Sequence, residues 1–239
     1  MAVSPREPGT GFYLSMALVA VAIVFVGFSP SFYLKDVLHG RPALTPLTAA
    51  HGVVFTAFMI LVVAQISLIG AHRPALHRQL GILGAMLFGA MTVLGLAVAI
   101  AAVRGVPSLP GLPPPLALIS GSVLGIIGLA VLVALALLMR ARSDYHQRLM
   151  LSTVLLITVP AAHRIILRAH LPLNSAQASL FVADALLAAA VAYDLLLRRR
   201  LHPAWLWAAA VYAAVHIGTT WAYTAPPLWM AFARWLTGI

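Results

Sequence analysis

The chain has 239 residues, 62% of them hydrophobic and only 8% charged, with a formal net charge of +10 and no cysteine. A soluble domain is about 45–50% apolar and about 25% charged, so this chain lacks the polar surface to cover a water-soluble globule. The missing cysteines exclude disulfides, thiolate metal sites, iron–sulfur clusters and covalent c-type haem, and the net charge does not point to nucleic acid, because the basic residues sit mostly in short gaps between apolar blocks, where membrane topology accounts for them.

Blocks of about 20 apolar residues span a bilayer core. They predict an all-α, polytopic helical membrane protein with about seven transmembrane helices in one bundle. A polar tail at about 1–11 precedes the first span, at about 12–34. Its apolar run is long and no small-residue cleavage pattern follows, so it reads as a helix rather than a signal peptide. Pro30 predicts a kink near its far end. Spans two and three fall at about 43–70 and 80–103. The connection that follows contains VPSLPGLPPP, a stiff, extended linker.

Span four, at about 116–139, carries Ser120, Gly121, Ser122, Gly125 and Gly128, a small-residue face for close helix packing. Span five, at about 145–167, contains Pro160. Span six is at about 176–197 and span seven at about 204–223, the latter with Trp205, Trp207, Trp221 and Tyr223 near its ends as an aromatic belt. The apolar, aromatic tail at about 224–239 suits the interface.

Seven spans place the termini on opposite sides. The N-terminal side then holds Arg6, Arg73, Arg78, Arg140, Arg142, Arg148, Arg198, Arg199 and Arg200; the other holds Lys35, Arg41, Arg104, Arg164, Arg168 and Arg234. The positive-inside bias makes the N-terminus cytoplasmic. An Arg-, Ala- and Leu-rich composition fits a bacterial protein, and hence the bacterial inner membrane.

Two helix openings echo each other. Leu76-His77-Arg78-Gln79-Leu80-Gly81 leads into span three, and Tyr145-His146-Gln147-Arg148-Leu149-Met150 into span five. Together with His51 and Gln65 in span two, and Arg164 late in span five, they resemble an uncharacterised family of bacterial polytopic membrane proteins, a domain of unknown function with a His-Arg-x-Leu-Gly helix opening. The resemblance covers about residues 48–168. It implies a polytopic helical fold and carries no activity.

Depth sorts the ionisable residues. A position about seven residues from a span end lies roughly 10 Å into the bilayer. His51, His163, Asp184 and His216 are predicted to share one layer in the outer half. Ionisable groups at such depth are costly and mark a site or pair with one another. Three His and one Asp suit zinc, iron or copper, and imidazoles from facing helices suit haem b. The structural alternative gives each His a backbone carbonyl or hydroxyl partner and pairs Asp184 with Arg164. Gln65, fourteen residues after His51, lies within about 40° of the same helix face, with Phe55, Phe58 and Val62 between them. That stripe either flanks a flat cofactor or packs against a neighbouring helix.

On the cytoplasmic side lie His72, Arg73, His77, Arg78, His146 and Arg148. His77 and His146 form a candidate second ligand pair, or the group recognises an anionic headgroup. The alternative is a basic girdle that anchors topology. Asp194, one turn before Arg198, is placed to pair with the cluster 198–200.

Three functions follow. The first is electron transfer through haem b or a redox metal, with His51, His163, His77, His146 and Gln65 as cofactor-binding residues and a quinone-like lipid-soluble molecule as a partner. It resembles the plan of di-haem membrane cytochromes. The second is a metal-dependent hydrolase of the outer leaflet, with metal ligands His51, His163, His216 and Asp184. It looks like the alkaline ceramidase and adiponectin-receptor superfamily, whose His-x-x-x-His pair is broken here because Thr220 stands four residues after His216. The third is a non-enzymatic subunit binding lipid or a protein partner, in a homo-oligomer or a larger membrane complex. Whether the chain is an enzyme stays open. There is no Gly-rich phosphate loop, Gly-x-Ser-x-Gly or His-Glu-x-x-His, and the only lysine, Lys35, excludes a retinal Schiff base in span seven.

Overall fold

The computed structural model describes residues 9–38, 43–105, 113–171 and 174–239. The first eight residues, the end of the first connection with Arg41, and most of the proline-rich linker lie outside the described residues. Within them the chain is helical without strands. Six helical segments are long and apolar enough to cross a membrane, at Thr10–Tyr33, Pro46–Gly70, Pro74–Arg104, Pro115–Leu138, Ser143–Arg168 and Ser175–Arg198. The protein is therefore an all-α, multi-pass membrane protein. The chain divides into two compact units, Met1–Leu94 and Gly95–Ile239.

In the first unit, α1 (Thr10–Phe28) runs into one π-helical turn, Ser29–Tyr33. Pro30 has no backbone N–H to give, which is the physical reason the regular ladder changes there. Thr45 caps α2 (Pro46–Gly70), its hydroxyl oxygen accepting from the Thr48 N–H. The next helix, α3 (Pro74–Arg104), begins earlier than apolarity alone suggests, with Pro74 at its start, so His77 and Arg78 lie inside the helix; its last turns, from Gly95, belong to the second unit. Phe58 and Phe88 meet with ring centroids 5.9 Å apart and are both buried. Ile60, Ile82, Met86 and Val93 are exposed, the pattern expected where the solvent is lipid.

In the second unit, α4 (Pro115–Leu118) and α5 (Ser120–Leu138) form one span. The next span is broken. It consists of α6 (Ser143–Leu156) and α7 (Val159–Arg168), separated at Ile157 and Thr158. Pro160 sits in the first turn of α7, where its missing N–H costs no helical bond. His146 and His163 thus belong to different helices, and their relative direction does not follow from one continuous 3.6-residue repeat. This span is the interior one: 67% of its most apolar window is buried, against 28% for α8 (Ser175–Arg198).

Helix α9 (Pro203–Tyr223) packs against α5, α6 and α8. Gly128 permits the close approach of α5, because a Cβ there would meet Val215, Leu156 and Val211. The tail folds as α10 (Pro227–Thr237). Trp229 is buried and donates through Nε1 to the Leu116 carbonyl at 2.8 Å, and Arg104 caps the far end by donating to the Thr237 carbonyl.

Candidate functional site

The predicted site residues occur in three settings. In the first unit, His77 on α3 donates through Nδ1 to the backbone carbonyl of Gln65 on α2, at 3.3 Å. Gln65 Nε2 lies over Gly81, 3.6 Å from where a Cβ would stand. The sequence motif is therefore one physical device: a histidine, a glutamine and a glycine closing the α2–α3 hairpin. Gln65 Oε1 is buried without a hydrogen-bond partner among the described residues. His51 is half-buried, its ring centroid 6.0 Å from that of Phe55.

The histidine-to-carbonyl clasp recurs in the second unit. His146 at the start of α6 donates through Nδ1 to the Ala136 carbonyl near the end of α5, at 2.9 Å. The two helix openings are alike in structure as well as in sequence. In each, the Nδ1 hydrogen bond fixes the ring and its tautomer.

Their arginines part company. Arg148 is fully buried, not a member of an interfacial girdle. Its Nε donates to Asp194 Oδ2 at 2.9 Å and its Nη2 to Oδ1 at 2.7 Å; Nη1 turns back to the Asp144 carbonyl. Asp194 also accepts from Arg198 Nε and from Trp205 Nε1, each at 2.9 Å. Trp205, expected in an aromatic belt, is 2% exposed and serves as this donor. The predicted Asp194–Arg198 pair is present, but it is one side of a larger network. The signal that could have exposed Arg148 is the scarcity of acids: the chain has five, and Asp194 lies inside a helix.

At the mouth of this network, His202 Nδ1 accepts from the Ala204 N–H at 3.2 Å, while Nε2 stands 3.0 Å from Asp144 Oδ2. An acceptor at Nδ1 leaves the proton at Nε2, so the neutral imidazole satisfies both contacts. Tyr145 packs edge-on to His202, and the Arg142 guanidinium lies 4.1 Å above the Tyr145 ring. These groups wall a pocket of about 380 Å³.

The third setting lies between α8 and α9 in the second unit. Asp184 on α8 and His216 on α9 form a dyad, Oδ2 to Nδ1 at 3.0 Å. Asp184 takes His216 as its hydrogen-bond partner, while Arg164 donates to the Pro160 carbonyl. Phe181 packs edge-on to the His216 ring with centroids 4.7 Å apart. The dyad stands at one end of an open groove of about 620 Å³ between α8 and α9, floored by Leu187 and Tyr212 and flanked by Val191, Leu195 and Ile217. His163, on α7, has its Nδ1 buried with no hydrogen-bond partner among the described residues. Among the described residues no three His, Asp or Glu side chains of one unit gather as a metal-ligand set.

Comparison with family models, curated proteins and solved structures returned no match.

Proposed function

We propose that the protein is a seven-span component of the bacterial inner membrane, with its N-terminus cytoplasmic, that binds a quinone-class molecule at the Asp184–His216 dyad and serves electron transfer. The observation that carries this reading is a hydrogen-bonding pair at the end of an otherwise apolar groove. A quinone has the matching chemistry, a carbonyl-bearing head on an apolar tail. Asp184 orients the imidazole through Nδ1, leaving Nε2 to accept a hydroxyl proton from a quinol or, once protonated, to donate to a quinone carbonyl.

The seventh span is α9. Its 21 residues rise about 31 Å, close to the ~30 Å core. Its lower apolarity suits a helix with neighbours on several sides, where Trp205, Tyr212 and Thr219 are buried among protein rather than lipid. Orientation follows from the nine basic residues on the N-terminal side against six on the other.

Haem b is the electron carrier this reading assigns, with His163 as its candidate ligand in the second unit. The buried, unpartnered Nδ1 of His163 favours a ligand there.

The test uses the full chain purified in a mild detergent. A short-tailed ubiquinone should quench tryptophan fluorescence saturably, and Asp184→Asn and His216→Ala should each abolish that saturation while circular dichroism is unchanged. Saturable quenching that survives in both variants, or none in the parent, overturns the quinone assignment. Expression with added haem should yield a Soret band that His163→Ala removes; a chain that stays colourless overturns the haem assignment.

A further inference from the structure

The pocket where α6, α8 and α9 meet gathers an excess of positive charge in one wall. Each acid of the second unit has a cationic or imidazole partner: Asp144 with His202, Asp184 with His216, and Asp194 with Arg148 and Arg198. The pocket wall holds Arg142, Arg198 and Arg200 against the single carboxylate of Asp144. Arg198 is held by Asp194. Neither Arg142 nor Arg200 forms an ion pair among the described residues.

The arginines are presented by a fixed frame. Arg199 closes α8 in the left-handed region, φ 57°, and so reverses the chain between Arg198 and His202. Arg142 is stacked on Tyr145, which is itself packed between His202 and Trp207. Behind them stands the fully buried Arg148–Asp194 pair. A pocket of about 380 Å³ falls within the range that ligand sites occupy, about 300–1,000 Å³. Arg142 acts on Asp144 from a distance, so three guanidiniums share one pocket carboxylate, and such an excess lining a pocket is the chemistry that recognises phosphate, through charge-assisted and bidentate hydrogen bonds.

We propose that this pocket binds a phosphate ester, with Arg142 and Arg200 as its principal contacts. The site is separate from the Asp184–His216 groove and stands or falls independently of it. Two sources share the chemistry: the headgroup of an anionic lipid, and a phosphate compound from the water phase.

The test uses the full chain in non-ionic detergent, with native mass spectrometry and thermal shift as readouts. Dioleoyl phosphatidate, dioleoyl phosphatidylcholine and inorganic phosphate are added separately. The parent should retain one phosphatidate and be stabilised by it, whereas phosphatidylcholine should have little effect. Arg142→Ala and Arg200→Ala should each weaken binding by about tenfold. Both side chains are exposed, so folding is preserved. Arg140→Ala, in the same loop but outside the pocket wall, should bind like the parent. Saturable binding of inorganic phosphate with the same variant dependence assigns the site to a water-borne ester, and its absence assigns it to lipid; either supports the phosphate site. Equal losses in Arg140→Ala and Arg142→Ala, or equal binding of phosphatidylcholine and phosphatidate, overturn it.

Discussion

Arg148 and Asp194 lie 46 residues apart in sequence and meet side by side inside the second unit, Nε to Oδ2 at 2.9 Å and Nη2 to Oδ1 at 2.7 Å. The paired geometry aligns two guanidinium nitrogens with two carboxylate oxygens. It ties α6 to α8, and the Trp205 donor adds α9 to the same carboxylate. Removing one partner of such a pair strands the other charge. We expect Arg148→Met and Asp194→Asn each to destabilise the protein by about 3–5 kcal/mol. The double variant Arg148→Met with Asp194→Asn should cost less than the sum of the single changes. Thermal or denaturant melts of the four species in detergent check this, and simple additivity would contradict the coupling.

His77 and His146 each donate through Nδ1 to a carbonyl of the preceding helix. If these bonds are all the rings contribute, His77→Ala and His146→Ala should each cost about 1 kcal/mol and leave the absorption spectrum unchanged. If they are also haem ligands, a Soret band should shift or split on either substitution. The pair of readouts separates a hairpin clasp from a haem ligand.

Much of the architecture is legible in the apolar pattern, because lipid demands a long, nearly uninterrupted run for each crossing. Gly128 is legible too, as part of a small-residue stripe, and it marks a real close approach of α5 and α9. What the sequence hides is choice of partner. His77-Arg78 and His146-Gln147-Arg148 look equivalent, yet Arg78 is exposed and Arg148 fully buried. The difference lies in Asp194, a residue no local window contains. Asp184 has both Arg164 and His216 available by depth, and only packing of α8 against α9 selects the histidine. Trp205 fits an aromatic belt by position, but a belt residue and a buried indole donor carry the same letter. The break at Ile157 and Thr158 is foreshadowed by Pro160, whose effect on direction is not readable from spacing.

Gly128 and Gly125 occupy the same helix with opposite surroundings. A Cβ at Gly128 would intrude on Val215 and its neighbours; at Gly125 it would meet nothing within 4 Å. Gly128→Val should therefore destabilise by about 1–3 kcal/mol through overpacking. Gly125→Ala should be neutral or stabilising by up to about 1 kcal/mol, since alanine favours the helix over glycine. Melting temperatures of the two variants should move in opposite directions or, at the least, differ clearly in size.

The last helix offers a test of whether the C-terminal tail is an integral part of the second unit. Trp229 is buried beside Val103, Ile119, Val123, Ala222 and Ala233, and its indole N–H is committed to the Leu116 carbonyl. Those contacts come from α3, α4, α5, α9 and α10, so one side chain holds α10 against several elements. Trp229→Ala removes the ring from that cluster and leaves the Leu116 carbonyl without this donor. A loss of about 3–5 kcal/mol follows from the size of the deletion. Because α10 has only 11 residues, too few to persist alone in water, its undocking should expose the backbone around Arg234. Limited trypsin digestion in detergent should then cleave Trp229→Ala at Arg234 well before the parent. Trp229→Phe keeps most of the packing and loses only the hydrogen bond, so it should fall between the two. Equal cleavage rates in all three would mean that α10 is held by the Arg104–Thr237 contacts alone.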